Sequence, residues 1–126
     1  TLLSALDCAV DGDTIFLESI IANNSIDAGE NSIAIDKDIV IFANAENKIK
    51  VVTEGNAPTF VINAGKTVSF VGVNIENIDT STPVIENDGD LTITDVNIIA
   101  STLNVNVSNT AAANLTIKGE CNFTKD

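Results

Sequence analysis

Two cysteines, Cys8 and Cys121, are the residues of this 126-residue chain best suited to covalent chemistry. Around them the inventory is narrow: there is no His, the six basic residues are all Lys, and 18 acids bring the net charge to −12. With no His or Arg, and neither a Ser-His-Asp nor a Cys-His set, acid–base and nucleophilic catalysis lack their usual residues. No phosphate loop or zinc spacing occurs either. Asp11-Gly-Asp13, Asp36-Lys-Asp38 and Asp88-Gly-Asp90 each bring two carboxylates close together. Calcium accepts such oxygen ligands, which makes Asp88 and Asp90 candidates for it. None of the three pairs fits an EF-hand or a glycine-rich calcium repeat, and plain solvated turns explain them as well; no other metal or cofactor is expected. What the thiols and carboxylates can reach depends on the elements that hold them.

Those elements repeat. Phe60–Ile75 lies over Val84–Ile98, with Gly65 on Gly89, Phe70 on Ile93, and Val-Asn-Ile at 73–75 on Val-Asn-Ile at 96–98. The unit returns as Val105–Gly119 and, more loosely, as Ile33–Ile41. A repeat of about 23 to 29 residues falls in the range of stacked solenoids. Within each unit β-branched residues alternate with polar ones, as in Leu91-Thr-Ile93 and Val96-Asn-Ile98, which is the period of a strand. Asn-Ala-Gly, Asn-Asp-Gly and Asn-Ala-Glu-Asn punctuate the runs, because Gly and Asn tolerate positive φ. One unit cannot bury its apolar face alone, but stacked units can, each strand pairing in parallel with its copy one rung along. The expectation is an all-β chain: a parallel β-helix of about five rungs, forming a single domain over 1–126. Residues 1–10 supply an N-terminal capping helix and 14–126 the stacked rungs. A core of Ile, Val, Leu and Ala, with aromatics at only 4% and no Trp or Tyr, suits the narrow interior of such a coil.

In the capping segment Leu2, Leu3, Leu6, Ala9 and Val10 fall on one side at helical spacing. Leu2, Leu3, Leu6 and Val10 are expected to seal the first rung and cover its edges. Cys8 points away from that side, whereas Cys121 lies in the last rung. About four rung spacings, on the order of 19 Å, then separate the thiols. A disulfide needs Cα atoms within about 7 Å, so an intrachain bridge is disfavoured. A bridge from Cys8 of one copy to Cys121 of another remains open, as does the plainer reading of two unrelated thiols with Cys121 a small core residue. Asn63, Asn87 and Asn109 recur before bends and are expected to stack as a ladder of side-chain amides. The sequons at Asn23, Asn106, Asn114 and Asn122 are no more than this Asn-, Ser- and Thr-rich composition produces by chance. The final rung ends with no capping helix after Phe123, and an uncovered rung is a template for pairing. Either the chain is part of a longer coil, or that end docks on a neighbouring copy.

The charge excludes some partners. A surface at −12 repels phosphate backbones, so nucleic acid is not a partner. No apolar run approaches the ~20 residues that cross a bilayer, so no membrane span is expected. An acidic chain rich in Asn and Thr suits the extracellular medium or the cell surface, and a start at Thr1 rather than Met suggests a processed or excised product.

Leu3, Ala5, Leu6 and Ala9, followed by Asp11-Gly-Asp-Thr-Ile-Phe-Leu17, form the first part of a recognisable arrangement. Ile35-Asp-Lys-Asp-Ile39-Val-Ile41, Gly65-Lys-Thr-Val-Ser-Phe70 and Gly89-Asp-Leu-Thr-Ile-Thr94 complete it. Over nearly its whole length the chain resembles right-handed parallel β-helix repeat proteins of the pectin-lyase-like superfamily, particularly the microbial cell-surface and secreted branch. That resemblance implies the right-handed coil but not one activity, since the superfamily spans lyases, adhesins, autotransporter passengers and structural surface proteins. Its lyases use a basic residue, commonly Arg, with calcium-binding carboxylates, and this chain has no Arg. Its hydrolases use Asp residues on successive rungs, for which Asp88, Asp90 and Asp95 are the nearest candidates, each in or beside a turn. The expected function is a secreted, non-enzymatic structural protein that assembles with itself into a filament, sheath or surface layer, with Cys8 and Cys121 as covalent links. An adhesin or glycan-binding fragment, with cell-surface glycans as partners, is the alternative, and a polysaccharide lyase or hydrolase fragment comes third.

Overall fold

The structure, a computed structural model, describes residues 2–18, 25–27, 31–44, 50–53, 56–77, 82–100 and 106–125. Thr1, the sequon at Asn23, the turn residues 45–47 and Val105 lie outside the described residues. A short helix, α1 (Leu2–Cys8), leads into strands only. The first turns of the coil are β1 (Thr14–Leu17), β2 (Ser25–Asp27), β3 (Ile33–Ile35), β4 (Ile39–Ala43), β5 (Lys50–Val52) and β6 (Phe60–Ile62). They continue through β7 (Thr67–Val71), β8 (Asn74–Asn77), β9 (Ile85–Asn87), β10 (Asp90–Thr94), β11 (Asn97–Ala100) and β12 (Val107–Asn109). The last strands are β13 (Asn114–Lys118) and β14 (Asn122–Lys125).

Every third strand pairs with its predecessor, always in parallel. The first sheet runs β1-β4-β7-β10-β13, the second β2-β5-β8-β11-β14 and the third β3-β6-β9-β12. This is the expected parallel β-helix: complete turns of three strands, then two strands of a further rung. Sequence alternation fixes which residues turn inward, since neighbouring side chains on a strand face opposite ways. Ile39, Ile41 and Ala43 of β4 are buried, as are Leu91 and Ile93 of β10. Piled through the rungs, Ile15, Ile41, Phe70, Ile93 and Ile117 form one column in the first sheet. Val51, Ile75, Ile98 and Phe123 form another in the second. Phe60 and Phe70, both fully buried, meet inside the coil with ring centroids 4.8 Å apart. Between the columns, the buried Thr53 hydroxyl donates to the Thr59 hydroxyl at 2.7 Å, so the polar residues inside are paired.

The register corrects the sequence alignment at one corner. β7 and β10 pair with Thr67 on Asp90, but β6 and β9 pair with Ile62 on Asn87. Four residues therefore turn the corner between β6 and β7, and two turn it between β9 and β10. Gly65, at φ 75°, occupies the third position of a turn closed by the Lys66 amide on the Asn63 carbonyl. There a side chain would be strained. Gly89 is not its counterpart. A Cβ at Gly89 would run into the backbone oxygens of Lys66 and Asn63 on the rung below. One glycine serves backbone conformation and the other serves close approach.

Candidate functional site at the last rung

At the helical end, the seal is narrower than the sequence suggested. Leu2 and Leu6 are buried against the core, but Leu3 and Val10 are 52% and 63% exposed. The reason is length: α1 stops at Cys8, so only the i, i+4 pair Leu2 and Leu6 lies over the coil. Leu3 falls on the rim of the helix, and Val10 belongs to the following turn, where its amide donates to the Asp13 carboxylate at 2.9 Å. What sequence reading missed is Lys37. From the corner between β3 and β4 its ammonium donates to the carbonyls of Leu6 and Asp7. A cation on the last carbonyls of a helix satisfies orphan acceptors and complements the dipole, and here it ties the cap to the second rung.

At the other end the same inward columns lose their cover. Ile93 and Ile98 are fully buried, yet Ile117 and Phe123, one rung on, are 51% and 41% exposed. Among the described residues β12, β13 and β14 each have a strand neighbour on one side only. Lys125 stands in register with the buried Ala100, an inward place held by a charge. The electrostatics change here too. Residues 106–126 carry Lys118 and Lys125 against Glu120 and Asp126, so this stretch is balanced whereas the chain as a whole is at −12.

Amide ladders run into this rung. Asn122 donates to Asn97 at 2.8 Å and Asn97 to Asn74 at 2.9 Å, along the start of the second sheet. This ladder went unrecognised in the sequence, although Val-Asn-Ile, Val-Asn-Ile and Cys-Asn-Phe are its signature. The expected ladder of Asn63, Asn87 and Asn109 is only half present. Asn87, fully buried, donates to Asn109 at 2.8 Å and to the Asn114 carbonyl at 2.9 Å, and accepts from the Gly89 amide at 3.1 Å. Asn63 is left out, because the register sets Ile62 and not Asn63 beneath Asn87.

Cys8 is exposed and Cys121 is half-buried; both are free thiols. The backbone bonds from Asn97 to Val73 and from Asn122 to Val96 put Cys121 in the column of Val73 and Val96. It packs against the core there, and its thiol donates to the Lys118 carbonyl at 3.3 Å. Several of the carboxylates hold the coil's corners. Asp11 accepts from the Asp38 amide at 2.7 Å, and Asp38 from the Thr67 amide at 2.7 Å. Asp95 sits at φ 52° and accepts from the Glu120 amide at 2.9 Å, while the bare Cα of Gly119 makes room for its carboxylate. Asp90 accepts from the Asn114 side chain at 2.6 Å, and Asp88 stands half-buried in the two-residue corner. Among the described residues no three acids or cysteines gather as a metal site.

No family model, no curated protein and no solved structure matches the chain. The site therefore rests on its own geometry: a parallel coil with one end tied down by Leu2, Leu6 and Lys37, and the other offering apolar residues and strand edges. Among the described residues no helix is long and apolar enough to cross a membrane.

Proposed function

We propose that the protein is a secreted, non-enzymatic structural module of the extracellular or cell-surface environment that assembles with itself into a filament, sheath or surface layer. The observation that carries this reading is the last rung, where Ile117 and Phe123 keep the inward register of Ile93 and Ile98 but are 51% and 41% exposed. Unpaired strand edges beside exposed apolar columns favour docking of a further layer, whether further rungs of the same chain or, as this reading has it, a second copy. The charge favours it as well, since this end, with Lys118 and Lys125 against Glu120 and Asp126, lacks the acidic excess of the rest of the chain. A second copy can supply the carboxylates that Lys125 needs when it is covered. Cys8, exposed, and Cys121, half-buried in the last rung, are the partners for a covalent link between copies. The absence of His and Arg from the sequence supports a non-enzymatic role, as does the use of Asp11, Asp38 and Asp95 as backbone caps. Membership of the pectin-lyase-like superfamily is part of the same proposal, and the parallel coil supports it.

Sedimentation velocity across protein concentration, paired with reducing and non-reducing gels, tests the assembly. The reading expects a concentration-dependent series of oligomers that Ile117→Lys collapses to monomer, with part of the series covalent without reductant. A monomer at every concentration in both redox conditions overturns it. One further observation favours a second reading, a glycan-binding module: Phe16 is 66% exposed and meets Phe42 edge-on, with ring centroids 5.6 Å apart.

A further inference from the structure

An Asp followed by Gly can rearrange its own backbone, because a glycine amide, with no Cβ beside it, is the least hindered nucleophile toward the neighbouring carboxyl. The chain has two such pairs, Asp11-Gly12 before β1 and Asp88-Gly89 before β10. Their surroundings differ. Asp11 and Gly12 are both exposed, Gly12 stands at φ 96°, and a Cβ built on it would meet nothing within 4 Å. The Gly12 amide donates to the Asp38 carbonyl at 2.7 Å, and at an exposed corner water can take that place on local opening. Asp11 accepts the Asp38 amide at 2.7 Å through an oxygen that lies 3.9 Å from the Lys66 ammonium. Lys37, the residue before Asp38, is turned to the carbonyls of Leu6 and Asp7.

At the other pair the nucleophile is locked in place. Gly89 is buried, and its amide donates to the Asn87 side-chain oxygen at 3.1 Å. On either side of it the Asp88 and Asp90 amides donate to the Ile62 and Lys66 carbonyls of the rung below, at 3.0 and 2.8 Å. The Lys66 and Asn63 carbonyl oxygens already occupy the space where a Cβ on Gly89 would go. Rearrangement inserts one methylene into the main chain, and a close-packed two-residue corner has no room for it. The first corner has that room.

We propose that Asp11 is a site of spontaneous isoaspartate formation in the folded protein and that the fold protects Asp88 from the same reaction. The Gly12 nitrogen attacks Cγ of Asp11, and an N–Cγ bond forms as the amide proton and one carboxyl oxygen depart in a molecule of water. A second water opens the resulting five-membered imide at the Asp11 main-chain carbonyl. The chain then runs through Cβ and Cγ, a free α-carboxylate is left, and the mass is unchanged. The product draws the carboxylate away from the Asp38 amide and loosens the corner that ties the first rung to the second. None of this depends on self-assembly or on glycan binding. The test is to age the whole chain, folded and in urea, and to digest it with a protease that cleaves before Asp but not before isoaspartate. Mass spectrometry then gives the rate at each pair, and the urea rate divided by the folded rate gives the protection. The expected result is measurable isoaspartate at residue 11 in the folded chain and a protection at Asp88 at least about tenfold greater, since reaction follows the population of the opened corner. Asn87→Ala, which frees the Gly89 amide, should narrow that gap, and the wild-type comparison stands without it. In the aged protein the Asp38 amide should exchange faster with solvent. Equal protection at the two pairs, or no isoaspartate at residue 11 in the folded chain, overturns the proposal. Unchanged exchange at Asp38 overturns the loosening assigned to the product.

Discussion

The rung of β10 and β11 and the rung of β13 and β14 carry nearly the same pattern, Leu-Thr-Ile followed by an Asn and an apolar residue, and reach opposite burial. Ile93 and Ile98 are sealed; Ile117 and Phe123 are about half open. The difference lies in neighbours, not in sequence. An inward side chain in a solenoid is covered chiefly by the rungs on either side, so its stability is a sum of nearest-neighbour terms. The internal rung has both terms and the last has one. Among the described residues, what looks like core by alternation is exposed where only one neighbouring rung covers it.

Substitutions on the two rungs sharpen this contrast. The largest expected effect is inside: Phe70→Ala removes a fully buried ring packed on Phe60, and urea unfolding should show a loss of about 3–5 kcal/mol. Ile117→Ala, in the same column, should cost less than about 1 kcal/mol in the monomer. Next comes Gly89→Ala, whose Cβ meets backbone and can be relieved only by moving a rung; it should cost up to about 3 kcal/mol. Gly65→Ala has open space and only the strain of positive φ, about 1 kcal/mol by the same measurement. The ladders give a smaller contrast. Asn87→Ala strands the Gly89 amide in a buried place and should cost about 2 kcal/mol, against about 0.5 kcal/mol for Asn122→Ala on the exposed ladder. Lys37→Met unties α1 from the second rung. It should cost about 0.5–1 kcal/mol and appear first as faster amide exchange in α1. Equal costs for Phe70→Ala and Ile117→Ala would break the comparison outright.

Much of the coil was legible because β-helix rungs are nearly periodic: the β-branched alternation of Leu91-Thr-Ile93 and the repeated Val-Asn-Ile named the strands and their parallel order. The corner between β6 and β7 was not, because a gap of two residues between otherwise similar units leaves the period almost unchanged while shifting the partners of the strand before the corner. That shift moved Asn63 off its expected place and separated Gly65 from Gly89. The cap was misjudged for a related reason: helical spacing places Leu3 and Val10 near the apolar side, but spacing alone does not say that the helix ends at Cys8. Lys37 left no signal at all, since a lysine between two strands reads as solvated until its partner carbonyls, some 30 residues earlier in the chain, are seen beside it. At the candidate site, the cysteine positions were legible and the exposure of the last rung followed from the missing neighbour.

Residue-resolved amide hydrogen exchange on dilute monomer tests the two-sided against one-sided pairing most directly. In β13 the Asn114 amide bonds back to the Gly89 carbonyl, and successive amides along a strand point to opposite sides. Thr116 should therefore be protected while Leu115 and Ile117 exchange quickly, whereas Leu91 and Ile93 in β10 should both be slow. Equal protection of Leu115, Thr116 and Ile117 in the monomer would contradict the account.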